Sequence, residues 1–436
     1  MSQKKNISTI VASSLCHSCG ACYAVCPTGA ISFAETAAGL LYAEVNDARC
    51  IDCGLCLDVC SGHHFSDPLK QQMPQNPFRG EIMESYLGRA CDNGIFSHAQ
   101  SGGVVTALLT DGFQTGKIKS AAVVRMQAGA PPRPSVYLAQ SADDLTQSQK
   151  SKYAPVPLLT FLKELDVSQQ PAAVVGLSCH IHSLMNILDR FPNLQESIGF
   201  TVGLICDRVM TLKAIDYLAR DYNSDGEYNL HYRDKQVSGY PGDVHLFAKY
   251  QASKVKPAEM RKKIKDAFTP PRCRICFDKM NVFSDITIGD PNGISEADHQ
   301  HGESVIIVRN STGKKVLDDA QRHQKLKVRT IESHMILKGQ KMHQKQKEWN
   351  AYVKAWRDLQ LPIPDYCYAL MQAQDNYPKR YLRKLNYALS LNDIQTKQEL
   401  MKQVKKALSK DKKSKKIRAV AKRIKLIAFS SKKEKL

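Results

Sequence analysis

Eight cysteines within the first 60 residues form two runs of the same spacing. They are Cys16, Cys19, Cys22 and Cys26 in the first run, and Cys50, Cys53, Cys56 and Cys60 in the second. Each run reads C-x2-C-x2-C-x3-C. Bacterial-type ferredoxins hold two 4Fe-4S clusters with this spacing, and the fourth cysteine of each run ligates the other cluster. Zinc sites use pairs of C-x2-C instead. The spacing therefore predicts two 4Fe-4S clusters that carry single electrons.

The residues around the two runs suit tight loops around clusters. Gly20 and Gly54 follow the second cysteine of each run, where the backbone crowds the cluster and a Cβ would interfere. Between the runs, residues 30–33 and 40–45 predict a pair of strands. We therefore expect residues 1–65 to form a ferredoxin domain.

The length of 436 residues predicts two or three domains, and the composition changes along the chain. Residues 66–80 are polar and proline-rich, which is typical of a linker. From 81 to 335, short apolar runs alternate with helical patterns and indicate a mixed α/β body. Residues 336–400 are helical in pattern and rich in Lys and Gln. Buried strands are predicted at 121–124, 172–177, 200–205, 286–288 and 305–308.

Positive charge is concentrated near the C-terminus. The formal net charge is +20, and residues 401–436 contain 15 Lys or Arg against 2 Asp or Glu. Ile417, Val420 and Ile424 follow helical spacing in this basic amphipathic tail. The tail either contacts an anionic membrane or is a solvated lysine-rich helix. No base-reading or stacking motif accompanies the charge, so nucleic acid is not expected as a partner.

The expected location is the cytoplasm, with the tail at the inner membrane face as an addition. No apolar run reaches the roughly 18 residues that a membrane span needs. We expect no signal peptide, because its cleavage would cut into the first cysteine run. Exposed clusters and free thiols favour a reducing compartment.

Four further cysteines are scattered along the body. Cys179 and Cys206 each end a Gly-Leu-x-Cys sequence after a predicted buried strand, and Cys273 and Cys276 form a C-x2-C pair. Open α/β sheets bind ligands beyond the carboxyl ends of their strands, so these thiols can converge there. They are predicted to hold a third 4Fe-4S cluster. Zinc is the alternative, and each cysteine taken alone would be a packing residue.

A flavin site is expected because clusters carry one electron whereas most organic substrates exchange two. The chain has no G-x-G-x-x-G or Walker A sequence, so Rossmann and P-loop folds have no support. Ser101, Gly102 and Gly103 open an apparent helix whose free N–H groups can hold a pyrophosphate. The same triplet is also a common helix start.

Five motifs between residues 84 and 310 occur in an order that is typical of one known family. They are Ser101-Gly102-Gly103-x2-Thr106-Ala107-Leu108, Lys152-Tyr153, Gly176-Leu177-Ser178-Cys179, Gly203-Leu204-Ile205-Cys206 and Cys273-x2-Cys276-x-Asp278. In these motifs the chain resembles the beta subunits of coenzyme F420-reducing hydrogenase and of related dehydrogenases. The family commonly has Pro and Gln where this chain has Ser178 and His180. His180 and His182 either serve the site or are packing residues, and no catalytic residue is assigned.

The resemblance implies non-covalent FAD and a cluster beside it on the scattered cysteines. It places FAD near Ser101, Gly102, Gly103, Thr106, Lys152 and Tyr153. It implies hydride exchange with a small molecule, coenzyme F420 or a related substrate, and a ferredoxin-like redox partner or partner subunits. The alternatives are an electron-transfer subunit without its own substrate, and a reductase of a non-deazaflavin metabolite in polysaccharide biosynthesis.

Overall fold

The computed structural model describes residues 5–165, 171–222, 225–371 and 376–410. The strands are β1 (Ile31–Glu35), β2 (Leu41–Val45), β3 (Glu84–Ala90), β4 (Ser120–Gln127), β5 (Arg133–Ala139), β6 (Ala172–Gly176), β7 (Ile198–Leu204), β8 (Asn229–Asp234), β9 (Asp243–Ala248), β10 (Gln251–Lys256), β11 (Ile286–Gly289), β12 (Ser304–Val308) and β13 (Leu326–Thr330).

The α-helices are α1 (Ser8–Ala12), α2 (Ala21–Val25), α3 (Leu55–Asp58), α4 (Asp67–Gln71), α5 (Asn93–His98), α6 (Val104–Gln114), α7 (Ser178–Arg190), α8 (Lys213–Ala219), α9 (Lys235–Ser238), α10 (Ala258–Ile264), α11 (Pro271–Arg274), α12 (Ser311–Arg322), α13 (Ser333–Gly339), α14 (Met342–Asp358), α15 (Tyr366–Leu370) and α16 (Arg380–Leu389). Short 3-10 helices cover Asp143–Ser148, Leu158–Lys163, Pro192–Ser197 and Lys265–Phe268. Helical geometry also covers 397–410.

An eight-stranded mixed sheet forms the centre of the body, in the order β13-β3-β12-β11-β7-β6-β4-β5. Its middle strands β11, β7, β6 and β4 are parallel to one another, and the outer strands are antiparallel. Parallel strands are usually buried on both faces, so they read as continuous apolar runs. All five strands predicted from such runs are confirmed: β4, β6, β7 and β11 are these parallel strands, and β12 is an antiparallel neighbour that is also fully buried.

The parallel pair β6 and β7 determines where the first two body cysteines lie. Gly176 at the end of β6 pairs with Gly203 near the end of β7. Cys179 and Cys206 follow these strand ends directly, so both lie at the carboxyl edge of the sheet. That edge is where open α/β sheets bind ligands.

The N-terminal region and the C-terminal helices share one hydrophobic core. Phe65 stacks on Tyr366 with 4.0 Å between ring centroids. The segment 66–80, predicted as a linker, contains α4 and buries Leu69 and Phe78 in the same core. The connection is therefore anchored in the core at Leu69 and Phe78, while most of its other residues are exposed.

The predicted class is confirmed: a ferredoxin-like N-terminal region with the hairpin β1–β2, a mixed α/β body and a helical C-terminal region. A second antiparallel sheet, β10-β9-β8, was not predicted, because its strands are only partly buried and do not form long apolar runs. Within the described ranges, no helix is both long and apolar enough to cross a membrane. Most of the basic tail, including Ile417, Val420 and Ile424, lies outside the described residues.

Trp349 tests how strongly the shared core contributes to stability. Its side chain is buried, its ring packs edge-on against Phe78, and its indole N–H donates to the Ile275 carbonyl at 2.9 Å. Trp349→Ala should lower the free energy of unfolding by about 3–5 kcal/mol, because it leaves a cavity in the core and removes one of the two donors to the Ile275 carbonyl, which also accepts from Arg272 at 3.2 Å. Trp349→Phe keeps most of the apolar volume and should cost about 1–2 kcal/mol. Anaerobic urea unfolding followed by circular dichroism would measure both, and equal losses would contradict the packing argument.

Candidate iron-sulfur and cofactor site

The eight N-terminal cysteines separate into two groups in space, and each group takes its fourth member from the other run. One group, here called the outer thiols, lines a small cavity and consists of Cys26, Cys50, Cys53 and Cys56. The other group, the inner thiols, consists of Cys16, Cys19, Cys22 and Cys60. Burial and then the thiols of Cys19 and Cys16 raise the pKa of Cys60. This is the crossed arrangement that the ferredoxin spacing predicts.

Two glycines shape the loops that carry these thiols. Gly20 and Gly54 have φ values of +96° and +80° and directly precede α2 and α3. This left-handed geometry favours glycine. A Cβ on Gly20 would also lie 2.6 Å from the Pro157 carbonyl oxygen, so the glycine lets the inner loop pack on the body.

Burial differs among the eight thiols. Cys53 of the outer thiols is exposed, whereas Cys56 of the same group and Cys19, Cys22 and Cys60 of the inner thiols are each only 7% exposed. Burial raises the pKa of the Cys19 thiol to about 11. Since iron binds thiolates, metal binding at such buried thiols must release protons.

The four scattered cysteines come together as a third group, the body thiols. Cys179 lies in the first turn of α7, Cys206 follows β7, Cys273 lies in α11 and Cys276 follows α11. Burial and then the thiols of Cys19, Cys206, Cys276 and Cys273 raise the pKa of Cys179. The body thiols therefore adjoin the inner thiols at Cys19.

The body thiols are spaced too widely for one zinc ion. Within the described ranges, the only three His, Cys, Asp or Glu residues with ligand atoms all within 4.8 Å of one another are His231, Asp234 and His245. A tetrahedral ion with Zn–S bonds of about 2.3 Å would hold its sulfurs about 3.8 Å apart. In the described arrangement, no three of the body thiols lie as close together as a single zinc ion would hold them.

The carboxylate in that histidine group is already satisfied by protein partners. Nδ1 of His231 and Nδ1 of His245 lie 2.8 and 3.1 Å from Asp234, and Lys150 forms an ion pair with the same carboxylate at 3.2 Å. The positive charge of Lys150 opposes a metal cation there, so we assign these residues to anchoring β8 and β9.

Ser183 connects the inner thiols to the helix that carries Cys179. Its Oγ lies 3.3 Å from the Cys19 sulfur and 2.7 Å from Oγ of Ser61, the residue after Cys60. Ser183 is four residues after Cys179, on the same face of α7. The hydroxyl group therefore lies between the inner and body thiols.

A large cavity of about 1630 Å³ opens beside the body thiols. Its lining includes Cys206 and five of the six residues predicted near FAD, namely Ser101, Gly103, Thr106, Lys152 and Tyr153. Gly102 is not in the lining. A Cβ at Gly102 would lie 2.4 Å from the Gly88 carbonyl oxygen, so this glycine allows close packing against β3.

The Ser101-Gly102-Gly103 segment presents backbone groups to the cavity. The Ser101 hydroxyl donates to the Glu303 carbonyl and is directed into the protein. Gly103 caps α6 at φ +75° without a side-chain cap, so the first N–H groups of the helix have no side-chain acceptor. A helix start of this kind is favourable for an anion.

Lys152 and Tyr153 lie together on the cavity wall. Burial and then Lys150 lower the pKa of Lys152 to about 7, and its Nζ donates to the carbonyls of Ser148 and Gln149 at 2.6 and 2.7 Å. The Tyr153 ring lies under the guanidinium of Arg261 at 4.8 Å. A lysine with this pKa changes charge near neutral pH.

Both candidate histidines are held by protein partners. His180 Nδ1 accepts from the Leu177 N–H, and its Nε2 lies 3.1 Å from the Val156 carbonyl. Burial lowers the pKa of His180 to about 4, so this residue is neutral and locked in place. His182 Nε2 lies 2.8 Å from buried Asp278. These contacts favour the packing interpretation for both.

Sequence reasoning missed most of the basic cavity lining. Arg233 forms an ion pair with Asp290, and Lys262, Arg383 and Lys406 reach the cavity from three separate helical segments. Each lysine or arginine alone reads as an ordinary surface charge. The only sign of these basic residues in the sequence is the Lys-rich composition beyond residue 335. That composition by itself indicates a helical extension and gives no indication of a binding site.

Protein-family models match three parts of the chain. Two of them describe the beta subunit of coenzyme F420 hydrogenase/dehydrogenase: the model of its C terminus matches residues 170–334, and the model of its N-terminal part matches residues 85–163. A 4Fe-4S dicluster domain matches residues 15–62.

Curated relatives agree with these matches. An uncharacterized protein of Methanocaldococcus jannaschii is 26% identical over 332 residues, which cover 68% of this chain and 84% of that protein. One subunit of the F(420)H(2) dehydrogenase of Methanosarcina mazei is 24% identical over 329 residues, covering 72% of this chain and 84% of that relative. The coenzyme F420-dependent sulfite reductase of M. jannaschii is 25% identical over 356 residues, covering 80% of this chain and 53% of that enzyme.

The fold and the cysteine set define an iron-sulfur protein in which a dicluster ferredoxin region is joined to an α/β body. The two F420 models together cover more than half of the chain. The chain belongs to the family of coenzyme F420 hydrogenase/dehydrogenase beta subunits, as the motif resemblance predicted.

The lowered pKa of Lys152 gives the cavity a testable pH dependence. Lys152 is charged below about pH 7 and neutral above it, so anion binding should weaken as the pH rises through 7. Sulfate affinity of the flavin-free protein should fall roughly tenfold between pH 6 and 8, since one nearby charge is lost. Lys152→Met should remove this step. Isothermal titration calorimetry with sulfate, whose charge does not change in this pH range, would measure the affinity of both proteins. The same fall in affinity in the wild-type protein and in Lys152→Met would show that another group causes it.

Proposed function

We propose that the chain is an iron-sulfur flavoprotein oxidoreductase that moves electrons between 4Fe-4S clusters and FAD, with hydride exchange to coenzyme F420 or a related organic substrate. One observation carries this proposal: the three thiol groups follow one another from the surface to the cavity. The outer thiols include exposed Cys53, three of the four inner thiols are buried, and the body thiols reach the cavity wall at Cys206.

The chemistry of the donor sets supports the cluster assignments. Each group offers four thiols, and soft thiolate ligands suit iron-sulfur clusters. The proposed ligands are the outer, inner and body thiols as defined above. Within this proposal, residues 1–65 form the ferredoxin domain, 66–80 the connection, 81–335 the body, 336–400 the helical extension and 401–436 the basic tail.

The cavity suits FAD in size and in polarity. The N-terminus of α6, entered through Gly103, supplies unpaired N–H groups for a pyrophosphate. Lys152 adds a positive charge below about pH 7, and Tyr153 adds an aromatic surface. When bound, FAD exchanges hydride with organic molecules and single electrons with clusters. The chain's own part is to bind the anion at the start of α6 and to hold the body thiols beside it.

A second candidate is an electron-transfer subunit that depends on a larger assembly. The observation in its favour is that the M. mazei relative is itself named as a subunit of a dehydrogenase. Partner subunits or a ferredoxin-like protein would then dock near the exposed outer thiols. The two candidates differ in whether the isolated chain reacts with a hydride donor.

Cys206→Ala tests the proposed electron path. It should lower the iron content from about twelve to about eight atoms per chain, because one of three clusters loses a ligand. Reduction of protein-bound flavin by reduced ferredoxin should slow by at least about a hundredfold, since the last centre before the cavity is lost, while oxidation of reduced F420 by the bound flavin should persist. Anaerobic iron analysis and stopped-flow absorbance would measure these effects.

Cys91→Ala is the matched control, because Cys91 belongs to none of the three thiol groups. It should leave iron content and both rates unchanged. A reconstituted wild-type protein that binds iron but no flavin would refute the flavoprotein proposal. Loss of F420 oxidation in the isolated wild-type chain, regained with partner subunits, would favour the second candidate.

Ser183 is predicted to tune the inner cluster. With a cluster bound, its hydroxyl can donate to the Cys19 sulfur, and hydrogen bonds to cluster sulfurs influence the reduction potential. Ser183→Ala should lower the midpoint potential of one cluster by an amount on the order of tens of mV. Ser197→Ala removes another buried hydroxyl, one without a described partner, and should shift nothing. Redox titration followed by electron paramagnetic resonance would measure both, and an unchanged potential in Ser183→Ala would contradict this role.

A further inference from the structure

Arg272 carries a buried positive charge next to the body thiols. It directly precedes Cys273 in α11, and it is only 4% exposed. In the part of the chain that the structure describes, its guanidinium forms no ion pair with a carboxylate, and its Nε has no hydrogen-bond partner. A buried charge is costly unless an opposite charge compensates it. Some other group must therefore compensate Arg272.

The hydrogen bonds of Arg272 connect the body thiols to the inner thiols. One guanidinium nitrogen, Nη1, donates to the Ile275 carbonyl at 3.2 Å, inside the loop of the C-x2-C pair, and Nη2 donates to the Tyr366 hydroxyl. That hydroxyl in turn donates to the Ser61 carbonyl at 3.2 Å, and Ser61 directly follows Cys60. The guanidinium is therefore held between the loop of the C-x2-C pair and the end of the second N-terminal cysteine run.

The charge of Arg272 acts on thiols of both groups. Burial raises the pKa of the inner thiol Cys16, and backbone N–H groups and then Arg272 oppose that rise. Burial also raises the pKa of the body thiol Cys276, and Lys345 and then Arg272 oppose it. A cation opposes such a rise by favouring the negative form of the thiol. Arg272 is therefore within electrostatic reach of the inner and the body thiols.

Two neighbours of Arg272 that could lose a proton stay neutral. Burial raises the pKa of Tyr366 far above its ordinary value, although Arg272 opposes the shift. Burial likewise raises the pKa of Cys367 to about 12 against the effect of Arg272. Neither residue supplies a negative charge at neutral pH. The compensating charge is therefore left to the inner and body thiols, which are deprotonated when they bind iron.

The charge of a bound cluster matches this requirement. Four thiolates outweigh the positive charge of a 4Fe-4S core, and one added electron makes the group more negative without forming or breaking a bond and without moving a proton. In a low-dielectric interior, a nearby cation stabilises the reduced form more than the oxidised form. Arginine keeps its charge in proteins, so this effect is present at every working pH.

We propose that Arg272 is a shared counter-charge for the inner and body clusters and makes both of them easier to reduce. This inference rests on the proposed function for the presence of these two clusters, and it does not depend on the flavin or on the hydride partner. Because one cation acts on both groups, it shifts both potentials in the same direction. It therefore opposes little of an electron's passage from one cluster to the other.

The chain offers an internal reference and a matched control for this role. Among the described residues, Arg272 is not one of the main groups that shift the pKa of the outer thiols Cys26 and Cys56. Lys345 acts on Cys276, but it is not among the groups that shift the pKa of the inner thiol Cys16. The outer cluster should therefore not respond to Arg272, and the inner cluster should not respond to Lys345.

Arg272→Gln in the reconstituted full-length protein tests the proposal. The equilibrium constant for one-electron reduction should fall roughly tenfold at both the inner and the body cluster, a shift of about 59 mV to lower potential, while the outer cluster stays unchanged. Anaerobic redox titration followed by electron paramagnetic resonance would measure the three potentials. The Cys206→Ala protein, which is expected to lack the body cluster, would assign the signals.

Three further variants separate charge from packing. Arg272→Lys keeps a positive charge and should recover most of both shifts. Lys345→Gln should lower the potential of the body cluster alone. Tyr366→Phe removes the hydroxyl that accepts from Arg272 but leaves the guanidinium charge in place, so it should lower the stability of the protein and leave all three potentials near their wild-type values.

Unchanged inner and body potentials in Arg272→Gln would overturn the inference, as would equal shifts in Arg272→Gln and Arg272→Lys. If Arg272→Gln takes up less iron, Arg272→Met is compared with Arg272→Lys. Iron loss in the two uncharged variants alone would support the counter-charge, and iron loss in all three would assign Arg272 to packing. A wild-type protein with only about eight iron atoms would refute the third cluster of the proposed function, and the inner cluster would still test Arg272.

Discussion

Burial of the inner thiols against α7 is the constraint on which the rest of the arrangement depends. The Cys19 carbonyl accepts the N–H of Leu159, and the Cys19 sulfur contacts Ser183, so the loop is held from two sides of the body. Electron transfer falls steeply with distance, and a ferredoxin region docked elsewhere would leave the body thiols without a neighbour. Gly20 permits this contact, because any side chain there would collide with Pro157. The loop that carries Cys19 therefore lies between the outer thiols near the surface and the body thiols beside the cavity.

The parts of the site that the sequence predicts are those whose geometry is local or follows from strand ends. The loops that carry the two N-terminal cysteine runs are determined by residues close together in the sequence. The match of residues 15–62 to a 4Fe-4S dicluster domain agrees with the prediction made from these runs. Cys179 and Cys206 could be placed together because both follow apolar runs that read as adjacent buried strands. The structure does bring them together with Cys273 and Cys276, although the metal they bind remains a prediction.

The parts that could not be predicted depend on contacts between distant segments. Gly102 lies in a recognisable motif, but its role in the structure is to allow close packing against Gly88 of β3. The segment 66–80 looks like a linker by composition, but Leu69 and Phe78 are buried by residues far along the chain. Most of the net positive charge comes from the C-terminal tail. The net charge therefore does not indicate the lysines and arginines that folding brings together in the cavity.

The stacking of Phe65 on Tyr366 has a consequence for how the protein matures. The two rings are far apart along the chain, so the ferredoxin region is synthesised long before its packing partner leaves the ribosome. Until then the face that Tyr366 covers, at Phe65 and at the Ser61 carbonyl, is open to water. Domains synthesised first usually fold first. Here the ferredoxin region reaches its final packing only after Tyr366 has been made, so its folding depends on residues far along the chain.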